Sequence, residues 1–236
     1  MVTRKWALGK GNKIVANQLG NKPRTGCVCS LLLSLSLVWG CTDTDPGHEL
    51  GERVGNRRPQ PPILLDLPAF EFTNQDGKVF GSEQLRGKVW IANFIFTRCV
   101  LSCPVQTSHM AKLQQHLAQS AGWHDIALVS FSVDPEFDTP EVLTEYGTQY
   151  GADFAHWRFL TGHRSLIWDL SKNGFKLPVE ERPMEVGLPL FHAPHLVLVD
   201  RQLRIRGFFN GMTEEEFEQI SDDVERILKE AAAPDG

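Results

Sequence analysis

The stretch Val89-Trp-Ile-Ala-Asn-Phe-Ile-Phe-Thr-Arg-Cys-Val-Leu-Ser-Cys-Pro104 organises this chain. Residues 89–96 are almost all apolar, which is typical of a buried strand. Residues 105–120 show helical periodicity, and Pro104 suits the first helical position, where its missing N–H has no partner to lose. The pattern therefore places Cys99 and Cys103 where a buried strand ends and a helix begins. Backbone N–H groups and the helix dipole favour a thiolate at such a position.

Two cysteines spaced in this way can form a disulfide or bind one metal ion. They are the only thiols of the expected folded body, because Cys27, Cys29 and Cys41 lie in the N-terminal segment. One close pair is no disulfide framework for a domain of this size. A disulfide that merely pins a loop is also disfavoured, because closing so short a loop gains little chain entropy. The pair therefore indicates a redox or metal site.

The charge of the chain is unevenly distributed. Its net value of −5 does not favour nucleic-acid binding. Six Lys or Arg residues and no Asp or Glu lie in residues 1–40, so the rest of the chain is strongly acidic. Residues 28–39 form a mostly apolar run with the length of a signal-peptide core, which is too short for an ordinary membrane-spanning helix. A basic segment followed by such a run is typical of a targeting signal.

The apolar run ends in Leu37-Val-Trp-Gly-Cys41, which is similar to a bacterial lipobox, where the cysteine is lipidated and becomes the mature N-terminus. We expect residues 1–41 to be a lipoprotein-type targeting segment, with an uncleaved N-terminal anchor as the alternative. Residues 42–62 hold four prolines and little apolar content, as in a flexible tether. The folded domain is expected over residues 63–232, anchored to the membrane on the periplasmic side of a bacterial cell envelope.

Strand and helix patterns alternate along the folded domain. The first predicted elements are a hairpin around Asp76-Gly77, the strand at 89–96, the helix at 105–120, a strand at 126–133, a helix from Pro140 to about Tyr150 capped by Thr139, and a strand at 157–160. They are followed by a helix at 163–173, an irregular hairpin or excursion at 174–191, a strand at 195–200, a strand at 204–209 and a helix from a Thr213–Glu216 capping box to about Ala231. This order predicts an α/β fold, a three-layer α/β/α sandwich with a mixed central sheet and an N-terminal β-hairpin extension. The cysteine loop between a strand and a helix makes the arrangement thioredoxin-like, with the site at the carboxyl ends of the strands.

Two histidines lie at the entry to the strand at 195–200, in Leu190-Phe-His-Ala-Pro-His-Leu196. This strand is the third core strand, after those at 89–96 and 126–133. Pro194 matches the proline that faces the cysteines in thioredoxin-like folds, so we expect a cis Ala193–Pro194 bond. This proline brings His192 or His195 near the thiols, and spacing alone does not decide between them. Two thiolates with one imidazole suit copper as Cu(I) or Cu(II). The remaining histidines are expected to be surface or core residues, namely His48, His109, His116, His124, His156 and His163.

Three segments together resemble the Sco/SenC family. Residues 94–104 match its strand followed by CxxxCP, residues 130–141 its Ser-x-Asp-Pro-Glu-x-Asp-Thr-Pro segment, and residues 157–162 its Trp-x-x-Leu-Thr-Gly. The metal-binding histidine of the family stands eight residues before the Asp that ends the third core strand. His192 stands eight residues before Asp200, so the resemblance assigns the role to His192, with His195 as the fallback. The resemblance spans roughly residues 65–230.

The chain departs from the family pattern beside this histidine. The family usually has Asp before it and Ser or Thr after it, whereas here the neighbours are Phe191 and Ala193. Asp134 and Asp138 are expected at the same sheet edge, where capping and loop closure explain them. Arg98 could lower the pKa of the neighbouring Cys99, although a solvated Arg is the simpler interpretation.

The resemblance implies a membrane-tethered copper-binding protein that serves cytochrome c oxidase. Cys99, Cys103 and His192 would hold Cu(I) or Cu(II) and deliver it to the copper-receiving subunit, or the two thiols would keep the cysteines of its binuclear copper site reduced. The alternative is a periplasmic thiol–disulfide oxidoreductase that uses Cys99 and Cys103 without metal, with a thioredoxin-like reductant as a further partner. A peroxidase is disfavoured because the Thr-x-x-Cys setting of such enzymes is absent.

Overall fold

The computed structural model describes residues 58–182 and 190–230. The expected targeting segment, its Cys41, His48 and most of the expected tether lie outside these residues. The strands are β1 (Leu65–Asp66), β2 (Glu71–Asn74), β3 (Val79–Gly81), β4 (Val89–Ile95), β5 (Ile126–Ser132), β6 (Trp157–Thr161), β7 (Val179–Glu181), β8 (Leu190–His192), β9 (His195–Val199) and β10 (Arg204–Asn210). The helices are α1 (Ser82–Leu85), α2 (Ser102–Leu117), α3 (Pro140–Gln149), α4 (Arg164–Asp169) and α5 (Glu215–Leu228). None of the helices in the described ranges is long and apolar enough to cross a membrane.

Eight strands form one mixed sheet in the order β1-β10-β9-β4-β5-β6-β2-β3, and β7 and β8 form a separate hairpin. Strands β4, β5 and β6 run parallel, whereas β9 pairs with β4 in the antiparallel sense. The predicted α/β class and mixed sheet are confirmed. Because β4 and β5 are parallel neighbours, the loops that follow them lie at the same edge of the sheet.

Strands β4 and β5 form the centre of the core, and every residue of both is buried. Continuous apolar runs are typical of parallel strands that are covered on both faces. The polar exception in β4 is Asn93, whose Oδ1 accepts a hydrogen bond from Ser130 Oγ at 2.6 Å. The same hydroxyl oxygen accepts a bond from Trp157 Nε1 at 2.9 Å, so one buried polar chain links β4, β5 and β6.

The N-terminal hairpin turns at Asp76-Gly77 as predicted, with Gly77 at φ +71°. A positive φ is readily adopted by glycine, which has no Cβ to clash. Asn74 Oδ1 accepts from the backbone N–H groups of Asp76 and Lys78 and closes the turn. Strand β2 pairs with β6, so the hairpin extends the main sheet at its edge.

Three helix starts test the sequence signals. Thr139 caps α3 as predicted, with its Oγ1 accepting from Val142 N. Helix α2 begins at Ser102, two residues before the predicted start, so Cys103 lies in its first turn; Pro104 is still accepted because the first-turn N–H groups have no intrahelical partner. The Thr213–Glu216 capping box does not form, because α5 begins at Glu215 with Glu214 as a cap that makes no side-chain hydrogen bond.

The Ala193–Pro194 bond is trans, so the predicted cis bond is wrong; the described residues contain no cis peptide. Pro194 is the middle residue of a tight turn in which His195 N donates to Ala193 O at 2.9 Å. The fixed φ of proline suits the centre of such a three-residue turn. The carbonyl of Pro194 accepts from Gly211 N at 2.8 Å, which fixes the turn against the end of β10.

Arg206 forms a buried clamp at the opposite end of β9 and β10. It lies at a bulge in the β9–β10 pairing, and bulges redirect side chains. Its guanidinium pairs with Asp200 at 3.0 Å and with Glu230 at 2.6 Å. It also donates to the carbonyl oxygens of Pro61 and Pro62, so the last residues of the expected tether pack against the domain here.

Arg206→Ala should destabilise the domain by about 3 kcal/mol, because it removes the buried cation of Asp200 and leaves that buried carboxylate with the partly exposed Arg204 as its remaining ion-pair partner. Arg204 also pairs with Asp200 but is partly exposed, so Arg204→Ala should cost no more than about 1 kcal/mol. Urea unfolding of the two variants measures the difference. Equal losses of unfolding free energy in the two variants would show that the buried Arg206 stabilises the domain no more than the partly exposed Arg204.

Candidate functional site

The end of β4 and the start of α2 position the two cysteines. Cys99 lies in a turn closed by its own N–H, which donates to Phe96 O at 3.1 Å. Cys103 lies in the first turn of α2 on its inward face, which continues through Gln106, Thr107 and Met110. Both thiols are free, and their exposed fractions are 6% for Cys99 and 0% for Cys103. The chain therefore presents a reduced, buried dithiol at the carboxyl edge of the sheet.

The two thiols differ sharply in acidity. A hydrogen bond from the Cys103 thiol lowers the pKa of Cys99 to about 5, and the N–H groups of Cys103 and Leu101 contribute, against the opposing effect of burial. The pKa of Cys103 is raised well above its ordinary value, because this thiol donates to Cys99 and is deeply buried. At neutral pH, Cys99 is therefore a thiolate and Cys103 keeps its proton.

His192 faces the dithiol from the last position of β8. Its Nε2 lies 3.1 Å from Cys103 Sγ, and its Nδ1 lies 3.2 Å from Ala193 O. A carbonyl oxygen only accepts, so Nδ1 carries the proton and Nε2 is an acceptor. The single proton of the Cys103 thiol therefore has two neighbouring acceptors, Nε2 and the Cys99 sulfur. The edge of the ring packs against Phe96. Burial lowers the pKa of His192, which keeps the imidazole neutral and ready to act as a ligand.

His195 takes a different position at the start of β9. Its carbonyl accepts from Gln106 Nε2 at 3.0 Å, and its Nδ1 is buried without a hydrogen-bond partner in the described structure. The described contacts include no hydrogen bond between its ring and either cysteine. Of the two histidines that spacing left open, His192 is the one that touches the dithiol.

The other described histidines make local contacts elsewhere. His109 Nδ1 lies 2.8 Å from Gly211 O, and His156 Nδ1 lies 3.1 Å from Ile126 O. His116 packs against Phe217, and His124 lies near Asp125 on the surface. His163 is the N-terminal cap of α4.

Two carboxylates after β5 hold the residues that precede Cys99, a link that sequence reasoning missed. Asp134 pairs with Arg98 at 2.5 Å, so this Arg is neither simply solvated nor free to act on Cys99 alone. Asp138 accepts hydrogen bonds from Thr97. The signal that could have revealed both contacts is the parallel pairing of β4 with β5, which places the two loops side by side.

The apolar residues between the cysteines point to solvent. Val100 and Leu101 are 75% and 65% exposed, and Phe137 is also exposed beneath the stacked Arg98 guanidinium. Large exposed apolar side chains at one place commonly mark a contact surface. The buried dithiol therefore lies under an apolar rim, formed by Val100, Leu101 and Phe137.

As the structure stands, no three His, Cys, Asp or Glu side chains within residues 58–182 and 190–230 are grouped so as to hold a metal ion. Cys103 contacts both other candidates, Cys99 on one side and His192 on the other. The structure thus brings Cys99, Cys103 and His192 together at one edge of the sheet.

A sequence model of the SCO1/SenC family matches residues 65–229. The chain belongs to this family. The SCO1 protein homolog of Bacillus subtilis is 36% identical over 171 residues, covering 72% of this chain and 86% of that protein. A putative copper-binding protein of Stutzerimonas stutzeri is 32% identical over 142 residues, covering 60% of this chain and 67% of that protein.

Solved structures of the family share the fold. A SCO1/SenC family lipoprotein from Bacillus anthracis has a TM-score of 0.66 and 36% identity, covering 71% of this chain and 98% of that one. BsSco, a member of the Sco family of cytochrome c oxidase assembly proteins in which a disulfide switch was identified, has a TM-score of 0.64 and 32% identity, covering 74% of this chain and 100% of that one. The Sco/SenC resemblance and the thioredoxin-like α/β fold are confirmed.

Alkylation of Cys99 by iodoacetamide should follow a titration with its midpoint near pH 5, because the thiolate is the reactive form. An ordinary thiol titrates near pH 8.5. Cys103→Ala removes the main donor to Cys99, so the midpoint should move upward in that variant. Mass spectrometry of the alkylated peptide measures both profiles. A wild-type midpoint near 8.5 would contradict the hydrogen-bonded pair.

Proposed function

We propose that this Sco/SenC domain binds copper through Cys99, Cys103 and His192 and delivers it to the copper-receiving subunit of cytochrome c oxidase. The observation that carries the proposal is the approach of His192 Nε2 to Cys103 Sγ at 3.1 Å, with Nδ1 tied to Ala193 O. A ligating histidine usually donates its other ring N–H to a carbonyl or carboxylate, which fixes the tautomer and ring orientation. His192 has this arrangement before any ion binds.

The donor set suits a soft ion. Two thiolates and one imidazole are ligands that copper accepts as Cu(I) or Cu(II). For zinc, a first-row ion that also accepts thiolate and imidazole, the bonds to sulfur and to imidazole are about 2.3 and 2.0 Å long. On that scale, the 3.1 Å separation of Cys103 Sγ and His192 Nε2 is compatible with two ligands of one ion. The copper-binding relative from Stutzerimonas stutzeri supports the same cargo.

Loading with copper requires one proton to leave the site. Cys99 is already a thiolate at neutral pH, whereas Cys103 must lose its proton before it can bind the ion. Metal binding to thiols releases protons in this way and is therefore pH-dependent. Because Cys103 is fully buried, the partner would reach the ion from the side of Cys99. The apolar rim is the surface on which that partner would dock.

Delivery to cytochrome c oxidase is supported by the relative BsSco, a member of an oxidase assembly family. In this role the ion passes by ligand exchange from the two thiolates and the imidazole to the ligands of the receiving subunit. The domain acts as a carrier, so copper is its cargo.

The second candidate function is thiol–disulfide exchange without metal, which the low pKa of Cys99 favours. The Cys99 thiolate would attack a partner disulfide and form a mixed disulfide, and the first partner sulfur would leave as a thiolate that takes a proton from solvent. The Cys103 sulfur would then attack the Cys99 sulfur, release the second partner sulfur and give that thiolate its own proton. The partner disulfide is reduced to two thiols while Cys99 and Cys103 are oxidised to a disulfide. A thioredoxin-like reductant would restore them. The disulfide switch identified in BsSco supports this chemistry.

We place the domain on the periplasmic side of a bacterial cell envelope, anchored to the membrane through a lipid on Cys41. The Bacillus anthracis relative is a lipoprotein, which supports lipidation at Cys41 over an uncleaved anchor. Residues 42–62 would link this anchor to the folded domain over residues 63–232.

His192→Ala should lower copper affinity more than about 100-fold and remove the thiolate-to-Cu(II) charge-transfer band, because the ion loses its only nitrogen ligand. His195→Ala is the matched control and should bind copper like the wild type. Competition with a chelator and the visible spectrum of the reduced domain measure both. If affinity survives in His192→Ala but falls in His195→Ala, the ligand assignment is wrong.

The same variants separate the two functions. His192→Ala retains the dithiol, so reduction of a model disulfide such as glutathione disulfide should continue in this variant. If the wild-type domain binds no copper but reduces glutathione disulfide, the result favours the oxidoreductase function.

A further inference from the structure

The carboxylate of Asp138 is fully buried and lies between β5 and the cysteine loop. It accepts hydrogen bonds from Ser132 Oγ and Thr97 Oγ1, each at 2.5 Å, and from Thr97 N at 3.2 Å. No Lys, Arg or His of the described ranges forms an ion pair with it. A buried carboxylate without a cation is costly unless hydrogen bonds compensate it. Hydrogen bonds, and not an ion pair, therefore stabilise the carboxylate of Asp138 within the described residues.

The contacts of Asp138 converge on one residue of the cysteine loop. Thr97 is the first residue after the buried run of β4 and stands two residues before Cys99. Asp138 holds Thr97 at both its backbone N–H and its hydroxyl group, so the residue has little freedom to turn. The next residue, Arg98, is held by Asp134. The start of the Cys99 turn is thus fastened from the neighbouring loop and not only by its own backbone.

Asp138 itself is anchored independently of this loop. Its N–H donates to Asp134 O at 2.9 Å, and it directly precedes Thr139, the cap of α3. Burial raises the pKa of Asp138, while the hydrogen bonds from Ser132 and Thr97 act in the opposite direction. The carboxylate is a fixed point to which the more exposed cysteine loop is attached.

We propose that Asp138 is a positioning residue of the site, which holds Thr97 so that Cys99 stands where its sulfur and that of Cys103 can meet one ion or each other. For the binding of an ion, this inference rests on the proposed function. For the formation of the Cys99–Cys103 disulfide, it does not depend on that function. Cys103 needs no such support because α2 fixes it. Cys99 lies on a turn beside exposed residues and has no helix to hold it.

The test compares Asp138→Ala with two substitutions that each remove one hydroxyl from the same carboxylate. Thr97→Val removes the donor on the cysteine loop and keeps the backbone N–H, whereas Ser132→Ala removes the donor on β5. Copper affinity should fall about 10- to 100-fold in Asp138→Ala and by a smaller factor in Thr97→Val, which is the range for residues that orient ligands. Ser132→Ala should lose less affinity than Thr97→Val, because the carbonyl of Asp134 still holds the backbone N–H of Asp138.

A second readout does not depend on copper. In glutathione redox buffer, the equilibrium constant for the Cys99–Cys103 disulfide should follow the same order, because a displaced Cys99 meets Cys103 less often. Wild-type protein that binds no copper would refute the proposed cargo, while the disulfide readout would still decide the role of Asp138. Thermal unfolding of each variant gives its stability. The inference is overturned if Thr97→Val and Ser132→Ala change both readouts equally, or if a folded Asp138→Ala matches the wild type.

Discussion

The parallel pairing of β4 with β5 is the constraint on which the site depends. The register runs without interruption from Val89 opposite Ile126 to Ile95 opposite Ser132, so both strands end level with each other. The loop that carries Cys99 therefore meets the loop that carries Asp134 and Asp138. A shift of one residue in this register would turn the side chains of one strand to the opposite face and separate the two loops. The apolar pairing of β4 with β5 thus determines which loops meet at the site.

A single structural difference gives the two thiols opposite properties. Cys103 is part of a helix and faces the core, so burial and its hydrogen bond to Cys99 keep it protonated. Cys99 precedes the helix and collects the donors around it, which stabilise its thiolate. An ion or a partner disulfide would therefore contact Cys99 first, because Cys103 and His192 are buried more deeply. The same order would serve both of the proposed functions, copper loading and disulfide exchange, so the dithiol alone does not separate them.

The sequence predicted the elements whose signal is local. The apolar runs of β4 and β5, the Asp76-Gly77 turn and the Thr139 cap depend on neighbouring residues, and all of them are confirmed. The trans bond at Pro194 and the unformed capping box at Thr213 were missed because contacts from other elements decide them. The β10 end at Gly211 fixes the proline turn, for instance. The contact of His192 with Cys103 joins residues 89 positions apart, so only the spacing from Asp200, read through the family resemblance, pointed to it.

Two buried carboxylates serve opposite ends of the domain. Asp200 follows β9, and its negative charge is balanced by ion pairs with Arg206 and Arg204. Asp138 has hydrogen bonds in place of cations and lies at the site end, where the neighbouring Asp134 is paired with Arg98. Strand β9 separates the two regions, with His195 at one end and Asp200 just beyond the other, a distance of about 17 Å for five residues of strand. The clamp at Arg206 therefore stabilises the fold and holds residues 61–62 at the end of the strands opposite the dithiol.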